Sequence, residues 1–133
     1  MFPEKVGGLV IAAGSLDPDL EKWMWYNMLV NTKLTAYMIP RMLRNSNREL
    51  APMKDELEKL KPLLAKVTCP VVIVHSSDDM LVPIENVDYM REEFSEGVIR
   101  EVTILEGRNH FLPWNSEAEI RKAIGVVAGR DRD

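Results

Sequence analysis

Val71-Val72-Ile73-Val74-His75-Ser76-Ser77-Asp78-Asp79-Met80-Leu81-Val82-Pro83 is the stretch that decides how this chain is read. It opens behind Pro70 with an unbroken apolar, β-branched run, and β-branched side chains favour strands. Apolar residues that do not alternate with polar ones suit a strand buried on both faces, as in a parallel sheet. The run stops in a polar turn, and Pro83 suits the first turn of a following helix. In open parallel sheets, ligands bind in the crevice beyond the carboxyl ends of the strands. That places Asp78 and Asp79 where chemistry is done. The same two carboxylates would equally serve to satisfy turn backbone or to cap the next helix.

Working outward, residues 6–13 form a second apolar run ending at Gly14, and residues 100–105, with Val102, Ile104 and Leu105, form a third. Between and after them the sequence predicts helices. Val87, Met90, Arg91 and Phe94 give one partly apolar face behind Pro83. Ser116 and Glu119 have the spacing of a capping box. Behind them Ile120, Ala123, Ile124 and Val127 repeat with helical period and should face the sheet. Strand, helix, strand, helix predicts an α/β fold: a three-stranded parallel sheet with flanking helices and right-handed crossovers. Residues 16–64 break the alternation and are too long for a simple connection. They read as a helical insertion, with one face at Met53, Leu57, Leu60 and Leu64 that Pro62 should kink or end. Residues 1–133 read as a single domain, and the charged tail, residues 129–133, is expected to fray.

Composition limits the function classes. Apolar residues make up 46% and charged residues 29% of the 133, an ordinary soluble balance. The net charge of −4 comes without a basic stripe, which argues against nucleic acid as a partner. The single cysteine, Cys69, builds neither a disulfide framework nor a Cys-rich metal site and fits a reducing cytoplasm. Two histidines, His75 and His110, are too few for a histidine metal cluster. No apolar run has the length of a membrane span, and the first residues lack the apolar stretch of a signal peptide. A soluble, cytoplasmic protein without metal or cofactor and with no membrane contact is expected.

The second chemical constellation is Val102-Thr103-Ile104-Leu105-Glu106-Gly107-Arg108-Asn109-His110-Phe111. A histidine in the loop after a buried strand can reach the carboxylate at the tip of the preceding one. A base of the catalytic-triad type needs an acid that orients its other ring nitrogen. A surface or packing histidine is the alternative.

Taken together, the two segments resemble the α/β-hydrolase family. Proline, apolar strand, polar turn and Asp79-Met80-Leu81-Val82-Pro83 resemble its acid loop, and the strand, Gly107 and Asn109-His110-Phe111 resemble its histidine loop. The order of acid before histidine is that of the family, whose nucleophile comes earlier still. Phe2-Pro3-Glu4-Lys5-Val6-Gly7-Gly8-Leu9-Val10 is similar to the family segment leading into its sixth strand. The resemblance implies that residues 16–64 form the cap and that the chain is the C-terminal half of such an enzyme. It further implies that Asp79 and His110 are the triad acid and base. The chain departs from the family in having no Gly-x-Ser-x-Gly nucleophile elbow. Ser15, in Ala13-Gly14-Ser15-Leu16-Asp17, lacks the second glycine, and Ser76 stands where family members often have glycine.

The function so implied is hydrolysis of an ester or related bond by a serine-type mechanism, with this chain inactive alone. A small-molecule substrate is expected only when a complementary half supplies the nucleophile. Trp23, Met28, Met38 and Trp114 are candidate substrate contacts, though such residues in the cap more often form its core. An unpaired sheet edge left by the missing half predicts a homo-oligomer or a complementary chain. The alternative is a non-enzymatic binding or interaction module on a truncated hydrolase scaffold.

Overall fold

The computed structural model describes residues 5–20 and 53–129. Within them lie β1 (Leu9–Ala12), α1 (Met53–Leu64), β2 (Val71–Ser76), α2 (Glu85–Glu93), β3 (Ile99–Leu105), α3 (Leu112–Asn115) and α4 (Glu117–Val127). The three strands form one sheet in the order β1-β2-β3. Both pairings are parallel: Leu9 to Ala12 lie against Val71 to Val74, and Val72 to Ser76 lie against Glu101 to Leu105.

β2 is the middle strand, and all of its residues are buried. This is why its sequence does not alternate: Val71 and Ile73 enter one apolar cluster, Val72 and Val74 the other. Leu64 of α1 and Val87, Tyr89 and Met90 of α2 fill the first cluster. Leu112 of α3 and Ala123 of α4 fill the second, with Ile120, Val126 and Val127 packed around them. Each fully buried Val or Ile is worth roughly 1.5–3 kcal/mol, so β2 and its two helical layers are the stable frame behind the loops.

Several expectations change in detail. β1 begins at Leu9, not at Val6. Gly8 would fall opposite Pro70, which has no N–H for the ladder, and pairing starts where Leu9 N–H donates to the Pro70 carbonyl at 2.9 Å. Gly8 has its own reason to be glycine: a Cβ there would lie 2.6 Å from the Val127 Cβ, so the end of α4 closes directly onto the backbone. Pro62 does not end its helix, because α1 continues through it to Leu64. Both Pro62 and Glu58, whose carbonyl loses its helical donor, are exposed, where solvent can take the place of the missing bond.

The Ser116–Glu119 capping box does not form, since Ser116 makes no side-chain cap bond. Its hydroxyl donates instead to Asn115 Oδ1 at 2.9 Å, and its N–H closes α3 on the Leu112 carbonyl. Ile124 points outward, and Val126 takes its place against the sheet. On α2, Arg91 is exposed and pairs with Asp88, while Asn86 and Tyr89 are buried.

Of residues 16–64, the C-terminal part is α1, which covers the sheet beside α2. Residues 21–52 of that stretch lie outside the described residues, as do residues 130–133 of the tail. Among the described residues no helix is long and apolar enough to cross a membrane.

Candidate active site

The carboxyl tip of β2 leads into a turn whose backbone folds around one side chain. Asp79 Oδ1 accepts the N–H groups of Leu81 and Val82, both at 2.9 Å. Asp79 Oδ2 accepts from His110 Nδ1 at 2.9 Å. The Asp79 side chain has no solvent exposure and that of His110 has 30%. Turn satisfaction and the pairing with histidine are therefore not rival roles here, because each takes one oxygen.

Burial is the largest influence on the Asp79 carboxyl and by itself pushes its pKa up. The Val82 N–H, the His110 ring and the Leu81 N–H together outweigh it and hold the pKa below the usual aspartate value. The group is thus a carboxylate, which only accepts. His110 Nδ1 must then carry the proton, leaving the Nε2 lone pair as the basic site of the ring.

The loop that carries His110 is held at several points. Gly107 turns it at φ +68°, a conformation that favours glycine, and the Gly107 N–H donates to Asp78 Oδ2 at 2.6 Å. Ser76 Oγ donates to the Arg108 carbonyl. Asn109 Oδ1 accepts the Phe111 N–H at 3.0 Å and a proton from Asn115 Nδ2. The carbonyl of His110 itself accepts the Leu112 N–H, which starts α3.

Phe111 stacks edge-on against His110 with centroids 5.7 Å apart, and Trp114 against Phe111 at 6.1 Å. Phe111, Trp114, Met80 and Leu81 all remain exposed, Trp114 at 80%. Thus Asp79 and His110 come together, and Trp114 lies beyond Phe111 in α3. Trp23, Met28 and Met38 lie outside the described residues.

His75 is fully buried beneath the turn. Its Nε2 lies 3.2 Å from the Val82 carbonyl, an acceptor only, so this nitrogen is the donor. Nδ1 has no partner. His75 is the last residue but one of β2, and Ser76 ends the strand.

Two residues without a role in the sequence reading, Ser76 and Asn86, contribute to the site. Ser76 and Asp78 tie the two loops together. Asn86 of α2, wholly buried, accepts the N–H groups of Leu16 and Asp17 at 2.8 and 2.9 Å and donates to the Pro83 carbonyl. It thereby fixes the chain leaving β1 beside the acid turn. The cue available for Ser76 was a small hydroxyl ending an otherwise buried strand; for Asn86 it was a polar residue on the apolar side of a helix.

No family model matches the chain, and no curated protein matches it in sequence. Solved structures do. The monoacylglycerol lipase of Paleococcus ferrophilus superposes with a TM-score of 0.65 at 14% identity, over 97% of this chain and 61% of that one. A thermophilic esterase from Thermogutta terrifontis, in its malate-bound structure, superposes with a TM-score of 0.56 at 14% identity, over 97% of this chain and 58% of its own. The chain therefore has part of an α/β-hydrolase fold and spans about three fifths of the length of these two structures.

Proposed function

We propose that this α/β-hydrolase-fold chain supplies the acid and the base of a serine-type hydrolase, with Asp79 orienting His110 for cleavage of an ester or related bond. The observation that carries the reading is the 2.9 Å contact of His110 Nδ1 with a fully buried Asp79 carboxylate at the carboxyl edge of the sheet. His110 Nε2 would remove the proton from a serine hydroxyl, and Asp79 would stabilise the imidazolium that forms. The serine and the oxyanion-hole amides would come from a complementary part, since the sequence contains no Gly-x-Ser-x-Gly. Hydrolysis then proceeds through an acyl-serine, with His110 returning the proton to the leaving group. The exposed apolar rim of Met80, Leu81, Phe111 and Trp114 supports a substrate with an apolar group beside the scissile bond. The names of the two structural neighbours, a lipase and an esterase, agree with that class.

The test is a phosphonate probe for activated serines, applied to the assembly purified from source cells through this chain. A labelled serine on a second chain is expected, with labelling suppressed about 10³-fold or more in His110→Ala. The chain by itself should not turn over a p-nitrophenyl ester. Labelling that is indifferent to His110→Ala, or phosphonate-sensitive turnover by the chain alone, refutes the reading.

A further inference from the structure

Ser76, the last residue of β2, is wholly buried, yet none of the chemistry above requires it. Its Oγ lies 2.5 Å from the Arg108 carbonyl and 3.1 Å from the Leu105 carbonyl, and it accepts the Asp78 N–H at 3.2 Å. A serine hydroxyl has one proton to give and lone pairs to receive with. The shorter contact assigns that proton to Arg108. One oxygen therefore binds both loops. Its lone pair holds the peptide that leads into Asp79, and its proton holds the peptide that leads into Asn109 and His110.

We propose that Ser76 is a positioning residue for the Asp79–His110 pair, its hydroxyl setting the histidine loop against the acid turn. Asp78 adds a second tie through the Gly107 N–H, but Asp78 is exposed and water competes for its carboxylate. The Ser76 hydroxyl is itself buried, so water competes less for its contact, which makes it the more persistent of the two. Ser76 stands where the hydrolases this chain resembles often have glycine, which makes the tie a feature of this sequence. Without the hydroxyl, the carbonyl of Arg108, an exposed residue, can turn to water. The loop then moves, and a pair that needs placement to within roughly 0.5 Å loses its contact. What the positioning serves rests on the catalytic reading above, whereas the geometry can be tested without catalysis.

The experiment is proton NMR of the chain labelled with ¹⁵N-histidine, in which His75 and His110 are the only two imidazoles. A His110 Nδ1–H bonded to a carboxylate resonates far downfield and exchanges slowly with water. Asp79→Asn removes the carboxylate and identifies the resonance by its loss. In Ser76→Ala, with cooperative unfolding retained, the resonance is expected to broaden away or to exchange about tenfold faster, the equivalent of one ordinary hydrogen bond.

A resonance of unchanged position and exchange in Ser76→Ala overturns the role of Ser76 and leaves the pair standing. A wild-type spectrum without the resonance, or one in which it survives Asp79→Asn, overturns both. Should Ser76→Ala fail to fold, the wild-type protein decides. The buried Ser76 hydroxyl proton should show a nuclear Overhauser contact to the Asn109 amide, and its absence overturns the proposal.

Discussion

Replacing Asp79 by asparagine keeps the shape of the side chain and exchanges one acceptor oxygen for a two-proton donor. Three donors converge on Asp79: the Leu81 and Val82 N–H groups on Oδ1 and His110 Nδ1–H on Oδ2. Asparagine can satisfy only one side. With its oxygen toward the two amides, its NH₂ group faces His110, whose Nδ1 must then give up its proton and become an acceptor. The opposite orientation sets NH₂ against two N–H groups, which is worse. The first arrangement therefore prevails, and it moves the imidazole proton to Nε2, the nitrogen that the proposed function uses as the base. In the assembly that the proposed function requires, this predicts a fall in kcat of about 10⁴-fold.

A stability effect follows that the isolated chain can report. Bonds to a charged group contribute about 1.5–3 kcal/mol and neutral ones about 0.5–1.5. Relief of the buried charge returns part of the difference, so a net loss of about 1–3 kcal/mol is expected at pH 7. The folded pKa of Asp79 is lowered, because the Val82, His110 and Leu81 contacts outweigh the burial that pushes it up. The folded state then binds fewer protons than the unfolded chain, whose aspartate titrates near about 3.9. The contribution is complete above that value and is lost as pH falls through the lower, folded one. Urea unfolding of both proteins across a pH series should show a gap that is constant down to about pH 5 and shrinks below it. Equal stability at pH 7, or a gap unchanged below about pH 3, would refute the assignment of Asp79 as a buried, paired carboxylate.

Asn86→Ala should cost about 2–4 kcal/mol in urea unfolding, because it strands the Leu16 and Asp17 amides that Asn86 Oδ1 holds; a loss under about 0.5 kcal/mol would mean those contacts are dispensable. Among the described residues β1 is paired on one side only, and Val6, Leu9, Leu63 and Val67 line an apolar hollow of about 440 Å³ beside it. An open strand next to apolar surface predicts association through that edge. Sedimentation velocity should show a mass above the 15.2 kDa of one chain that rises with concentration; a cooperative monomer at every concentration would argue for a protected edge.

What the sequence made legible follows from how strongly each feature constrains a local pattern. β2 was readable because burial on both faces removes polar residues from a strand, and Val71 to Val74 show nothing else. The juxtaposition of Asp79 and His110 was readable because each lies just past a strand end, and parallel strands bring those ends together. Residues whose roles depend on a partner's position were not readable. The spacing of Ser116 and Glu119 fits a capping box, but Ser116 also closes α3, and its hydroxyl turns to Asn115. Ile124 has the right period, yet α4 settles with Ala123 and Val126 inward and Ile124 exposed. Asn86 stands out only as a polar residue on the apolar side of α2, and its partners come into view only when the chain leaving β1 is set beside it.

The same distinction explains why the site sits where it does. A parallel sheet supplies no local contact between the loops at its carboxyl edge, since each belongs to a different crossover. Backbone pairing brings Ser76 opposite Leu105, but beyond that register the loops must be tied by side chains. Here the ties are graded by burial. Asp79 and Ser76 are enclosed and bind backbone on fixed partners, Asp78 bonds at the surface, and His110 is left partly open. In the proposed function, a base that meets a substrate would need that opening, and one that keeps a single tautomer would need the enclosed carboxylate behind it. The central strand would provide both, since its last buried residues end just below the turn that presents Asp79.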